Sequence, residues 1–188
     1  MGTVGRADKV AVLLKRFPFL QPSQIVVRAD SAKQFGLDVV AALKSVRPSA
    51  QGFDIVLDAV LGDYFQPGFD ALASGGRYIV YGAASMTPTH ASMGWLSWAK
   101  LAWQWLWRPK VDPLELPGLN KSVMGFNLIH CFNEAELLLQ LLDEIDALKL
   151  PPPLVGRVFE FKQCVEALRL LQSGATVGKV VLTTARAG

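Results

Sequence analysis

The chain has 188 residues, 51% apolar and 19% charged, with a formal net charge of +3. That apolar content supports one folded domain plus an appended segment and excludes a disordered chain. The mild charge, without any run of Lys or Arg, excludes a basic nucleic-acid groove, and no stretch reaches the ~18 apolar residues of a membrane span.

Asp8 to Leu14 reads as a short helix, closed by the Arg16-Phe17-Pro18-Phe19 break. Gln24 to Val27 is a short strand, and Ser31 is placed to cap a helix reaching about Val46, stopped by Pro48 and Gly52. The stretch FDIVLDAVLGDYFQPGFDALASGGRYIVYGAAS, from Phe53 to Ser85, is the most informative in the chain. It predicts a strand ending at Asp58, a Gly-containing turn, a helix, a stop at Gly75-Gly76, and a second strand ending at Gly82. Two apolar runs joined by one helix form a right-handed βαβ crossover in a parallel sheet. Such sheets bind ligands beyond the carboxyl ends of their strands. Ala59, Gly62, Gly82, Ala83 and Ala84 stand at those ends, small enough for a flat ligand to approach the backbone, so a nucleotide or cofactor floor is expected there.

A polar, Pro-containing loop leads into Trp95 to Trp107, which holds all five tryptophans. Ser122 to Leu128 is a further strand candidate. Asn133 is placed to cap an amphipathic helix, Glu134 to Leu148, with Leu137, Leu138, Leu141, Leu142 and Ile145 on its apolar face. Pro151-Pro152-Pro153 reads as a stiff linker. A strand (Gly156 to Phe161), a helix (Gln163 to Leu171), a Ser173-Gly174 turn and a last strand (Lys179 to Thr184) follow. The alternation argues an α/β fold.

Several residues admit two readings. Asp58 either fixes a turn beside a cofactor or caps backbone N–H groups. Asn127 either meets a ligand amide or carbonyl, or is satisfied by backbone. Cys131 and Cys164 lack any CxxC or Cys/His spacing and read as two buried free thiols of a reducing cytosol. His90 and His130 have no partner at ligand spacing, so no metal is expected. The Trp segment reads as a lid or dimer-facing helix, an interfacial membrane helix anchored by Lys100, Arg108 and Lys110, or a pocket lining.

Four segments together resemble the zinc-free medium-chain dehydrogenase/reductase family, quinone oxidoreductase type: GTVGRADK, DAVLGDYF with YGAAS, GFNL, and the tail RVFEF…EALRLLQSGATVGKVVL. The aromatic insertion before GFNL is most like the vesicle amine transport protein-1 branch. The resemblance covers essentially the whole chain. It implies a Rossmann-like doubly wound parallel sheet, truncated at the N-terminus. Residues 1–150 would form a partial NADP-binding domain, and 151–188 a strand–helix–strand segment of the catalytic domain. It implies NADPH as cofactor, a quinone or other α,β-unsaturated carbonyl as substrate, a homodimer in the full-length family, and a cytoplasmic location.

The cofactor positions carried over are Thr3, Arg6 and Lys9 near the 2′-phosphate, and Val60 and Gly62 near the nicotinamide ribose. Gly82, Ala83, Phe126, Asn127 and Lys179 complete the set. Hydride passes directly to substrate in that family, so no catalytic side chain is assigned. Leu61 stands where the family's D-x-V-G-G turn has its first Gly. Val27 stands where a tyrosine is usual, with Arg28 beside it as a substitute. No G-x-G-x-x-G occurs in the sequence. The expected consequence is that the innermost strand of the sheet is missing, which leaves two apolar edges. The alternative is a non-catalytic membrane-peripheral or partner-binding module using the Trp-rich segment 95–107. A methyltransferase-like sheet is a weaker reading, because it too needs a Gly-rich first turn.

Overall fold

The computed structural model describes the chain except residues 87–94 and 185–188. His90, of which no metal role was expected, lies outside the described residues. The chain divides into two compact units that part between Phe126 and Asn127.

In the first unit, β1 (Gly2–Val4) pairs in parallel with β2 (Ile25–Val27), joined by α1 (Asp8–Arg16). Next comes α2 (Ala32–Val46), whose cap is Ser31, its side chain accepting from the Gln34 N–H at 3.4 Å. Phe35, Val39 and Leu43, four residues apart, form the buried stripe of α2. β3 (Phe53–Asp58), β4 (Leu72–Val80) and β5 (Ser122–Gly125) then form a parallel sheet in that order, with α3 (Phe65–Asp70) between β3 and β4. The expected α/β fold with parallel strands is therefore present.

Two clusters make the core. One joins Val26, Phe35, Val39 and Ala71; the other joins Phe65, Phe69, Leu72 and Tyr78. Tyr78 is 1% exposed and meets Phe65 edge-on at 4.8 Å. Each such buried aromatic contributes roughly 1.5–3 kcal/mol.

Gly75-Gly76 does not stop a helix. α3 ends at Asp70, and β4 starts at Leu72 and runs through both glycines. Between Phe53↔Leu72 and Ile55↔Arg77 the register shifts, so the extra β4 residues are absorbed in a bulge where Gly75 has φ +79°. The Gly75 N–H donates to Asn120 at 2.6 Å, closing the bulge. α4 (Trp95–Leu106) and α5 (Glu115–Leu119) complete this unit.

In the second unit, α6 (Ala135–Ala147) precedes β6 (Val155–Glu160), α7 (Cys164–Gln172) and β7 (Lys179–Thr183), with β6 and β7 parallel. Asn133 is not the cap of α6: Glu134 holds that place and makes no side-chain cap bond. The strand expected to reach Leu128 ends at Gly125, because the Asn127 side chain accepts from the Ile129 N–H at 3.2 Å and starts a 3-10 turn. Cys131 and Cys164 are free thiols, and each is half-buried rather than buried.

Candidate functional site at the carboxyl strand ends

The register sets Asp58 beside Val80 and Val80 beside Gly125, so β3, β4 and β5 end in one row. Asp58 is 7% exposed. Its Oδ1 accepts from the N–H of Val60 at 2.7 Å and of Leu61 at 3.0 Å, and its Oδ2 accepts from the Tyr78 hydroxyl at 2.7 Å. Of the two readings for Asp58, capping describes this geometry. Burial, reinforced by the Asp58 carboxylate, holds the Tyr78 hydroxyl well above the usual phenol pKa, so it remains a donor.

The turn that follows has an unusual backbone. Leu61 sits at φ +59°, ψ −152°, and Gly62 at φ +64°. Leu61 thus holds a conformation that glycine adopts far more readily than a residue with a side chain. Gly62 is needed twice over: its φ is positive, and a Cβ there would lie 2.6 Å from Ser85 Oγ. Ser85 in turn donates from Oγ (2.7 Å) and from its N–H (3.0 Å) to the Val60 carbonyl. Ala84 N–H donates to Ala59 at 3.0 Å, and a Cβ at Gly82 would lie 3.0 Å from the Ala59 carbonyl oxygen. Val60, Gly62, Gly82 and Ala83 are therefore brought together as one latched floor. Phe126 adjoins it, 53% exposed, its N–H donating to Val80 at 2.9 Å.

A cationic group lies at the ends of β1 and β2. The Arg28 N–H donates to Val4 at 2.8 Å, and its guanidinium covers Gly5 and stands 5.3 Å from the Tyr64 ring centroid. Tyr64 is held by its hydroxyl, which donates to Ala29 at 3.2 Å, and by edge-on contact with Phe35 at 5.1 Å. Among the described residues Arg28 makes no ion pair with a carboxylate. Lys9 lies half-buried in the first turn of α1. Arg6 forks onto Asp8 at 3.0 and 3.1 Å, and its hydrogen bonds hold the Asp8 carboxyl below the ordinary value.

Other sequence-predicted positions lie elsewhere. Thr3 is within β1, opposite Val26. Asn127 and Lys179 belong to the second unit; Asn127 is engaged with the Ile129 backbone, and Lys179 is an exposed residue starting β7. Tyr64, Tyr78 and Ser85 were not singled out from sequence. Their signal was local, one tyrosine in the turn before α3, one within β4 and a serine closing YGAAS, too common to read alone. Among the described residues no group of three or more His, Cys, Asp or Glu could hold a metal.

A family described as zinc-binding dehydrogenase matches residues 32–182. The human synaptic vesicle membrane protein VAT-1 homolog-like protein is 31% identical over 77% of this chain and 35% of its own length. The Danio rerio VAT-1 homolog is 30% identical over 78% of this chain and 30% of its length. The chain thus spans about a third of the curated relatives it matches. Among solved structures, the human VAT-1 homolog-like protein superposes with TM-score 0.61 at 20% identity, covering 100% of this chain and 45% of that one. The quinone oxidoreductase of Thermus thermophilus, solved also with NADPH, gives 0.63 at 24%, covering 96% and 48%. At these identities the structures establish the fold.

Proposed function

The chain belongs to the zinc-binding dehydrogenase family, and from that premise we propose that it contributes the NADPH-binding part of a zinc-free reductase of quinones or other α,β-unsaturated carbonyls. The observation that carries the reading is the Arg28 guanidinium, without a carboxylate partner among the described residues, at the carboxyl ends of β1 and β2. A guanidinium fork suits a ribose 2′-phosphate, and Lys9, in the first turn of the helix that follows β1, is the second cation we assign to that phosphate. Gly62, Gly82 and Ala83 give the flat floor that lets a nicotinamide ribose approach the backbone. When bound, NADPH supplies a hydride to the conjugated substrate; the residues named here bind and orient it, and none acts as a nucleophile.

The test is NADPH and NADH titration followed by tryptophan fluorescence. Saturable NADPH binding, weakened about tenfold by Arg28→Ala or Lys9→Ala with NADH unaffected, is the expected result. Equal affinity for the two cofactors in the native chain would defeat the 2′-phosphate assignment.

A second reading rests on α4 and the residue after it. Trp98, Trp103, Trp105 and Trp107 are 59–70% exposed. No helix among the described residues is long and apolar enough to cross a membrane. Indoles spread around an exposed helix suit a membrane surface, making this a membrane-peripheral module with or without reductase activity.

A further inference from the structure

Arg28 follows the last residue of β2, and its N–H still donates to the Val4 carbonyl at 2.8 Å, so the β1–β2 pairing fixes its backbone. No carboxylate fixes its side chain. Among the described residues neither Asp30, two residues on, nor Asp63, beside Tyr64, forms an ion pair with it. Two other neighbours define where the guanidinium sits. One is Gly5, where a Cβ would lie 2.8 Å from Arg28 Nη2. The other is the Tyr64 ring, whose centroid is 5.3 Å from the guanidinium carbon, within cation–π range.

Tyr64 is itself held on several sides. Its hydroxyl donates at 3.2 Å to the carbonyl of Ala29, the residue after Arg28. Phe35 of α2 meets the ring edge-on at 5.1 Å, and the ring packs against the Val26–Phe35–Val39–Ala71 cluster. Tyr64 belongs to the same short turn as Gly62 of the candidate cofactor floor. That turn therefore carries both a piece of the floor and the aromatic surface under Arg28. An arginine stem has several rotatable bonds, and ordering them when a ligand arrives opposes binding. A guanidinium already resting on a fixed ring loses less freedom. Its edge N–H donors stay available to a phosphate.

We propose that Tyr64 and Gly5 form a seat that pre-positions the Arg28 fork, so that these two uncharged residues set how strongly a 2′-phosphate is preferred. The proposal rests on the cofactor reading above and deepens it. Arg28 supplies the charge, and Tyr64 is a positioning residue that acts through it.

The test is calorimetric titration of the full chain with adenosine 2′,5′-bisphosphate and with 5′-AMP, which differ only in the 2′-phosphate. The native chain should prefer the bisphosphate. Tyr64→Leu should lower that preference about fivefold without changing 5′-AMP affinity, and Tyr64→Phe, which keeps the ring, should retain it. In an Arg28→Ala background Tyr64→Leu should have no further effect. Gly5→Ala carries the test if Tyr64→Leu does not fold. Gly5 lacks a positive φ, and the atom its Cβ would meet is the far end of a flexible side chain. It should lower the preference while the melting temperature holds. The seat is overturned if Arg28→Ala abolishes the preference while Tyr64→Leu or Gly5→Ala leaves it intact. Equal weakening of both nucleotides by Tyr64→Leu also overturns it, since that is a general loss of structure. A native chain that binds neither nucleotide, or shows no preference, defeats the cofactor reading itself and the seat with it.

Discussion

The Tyr78 hydroxyl donates at 2.7 Å to Asp58 Oδ2, tying the interior of β4 to the last residue of β3. The same carboxylate receives the Val60 and Leu61 N–H groups, so one buried bond supports the turn beneath the candidate cofactor floor. Tyr78→Phe keeps the ring packing and removes this donor, and should destabilise the chain by about 1.5–3 kcal/mol. The pH dependence has a definite sign. The folded phenol's pKa is raised by burial and by Asp58. Above about pH 10 the unfolded phenol ionises while the folded one holds its proton. The stabilisation is therefore complete below that pH and declines above it. Denaturant midpoints should show the gap between native and Tyr78→Phe chains constant near neutrality and narrowing above about pH 10. A gap that widened with pH would refute the assignment.

Leu61 carries backbone strain in the turn. A φ of +59° with ψ −152° is a glycine conformation. Leu61→Ala removes packing against the Phe65–Tyr78 cluster and keeps the strain, whereas Leu61→Gly removes both. The glycine variant should therefore be the more stable of the two by about 1 kcal/mol, the reverse of the usual order. Thermal melts of the pair decide it, and an alanine variant as stable as the glycine one would count against strain.

Sequence made the βαβ unit legible because Phe53 to Asp58 and the run ending at Val80 are apolar, and one helix fits between them. It misled at Gly75-Gly76, where two glycines signal a break whether they end a helix or fill a bulge; the Asn120 carbonyl that closes the bulge is distant in sequence. Asp58 was legible as a cap from its place at a strand end, but its Tyr78 partner was not, since that contact depends on the register of β3 against β4. Arg28 was visible beside Val27. That it covers Gly5 and stands against Tyr64 follows only once α2 has brought these segments together. Burial of the two cysteines was overestimated because apolar neighbours in sequence were taken for apolar cover in space.

Gly68 offers a check on how tightly Tyr78 is held. In an exposed helix, Gly→Ala stabilises by about 0.5–1 kcal/mol. Here a Cβ would lie 2.9 Å from Tyr78 Cε2 and 3.0 Å from its hydroxyl oxygen. Gly68→Ala should instead destabilise by about 1–3 kcal/mol through overpacking. In a Tyr78→Phe background the penalty should shrink, because the ring no longer has to reach Asp58; a double-mutant cycle with no coupling would show that the ring shifts freely.

The tryptophans of α4 separate a membrane role from a protein-facing one. Trp103 and Trp107 meet one turn apart, tilted by 39° with ring centroids 5.4 Å apart, and the Arg108 guanidinium lies 4.4 Å from the Trp105 ring while donating to the Trp105 carbonyl at 2.8 Å. This places a cation beside exposed indoles, the composition of an interfacial anchor. If the face meets lipid, the chain should co-sediment with vesicles containing anionic lipid, less so with neutral ones and at high salt, since each basic residue near an anionic surface adds roughly 1 kcal/mol. Trp103→Ala with Trp107→Ala should lower partitioning at least tenfold even onto neutral vesicles, because the apolar contribution of the rings does not depend on lipid charge. Arg108→Ala should lower it only on anionic ones. Those two dependences, on ring and on charge, move independently only at a lipid interface. A chain that ignores both vesicle types would leave these indoles to a protein surface.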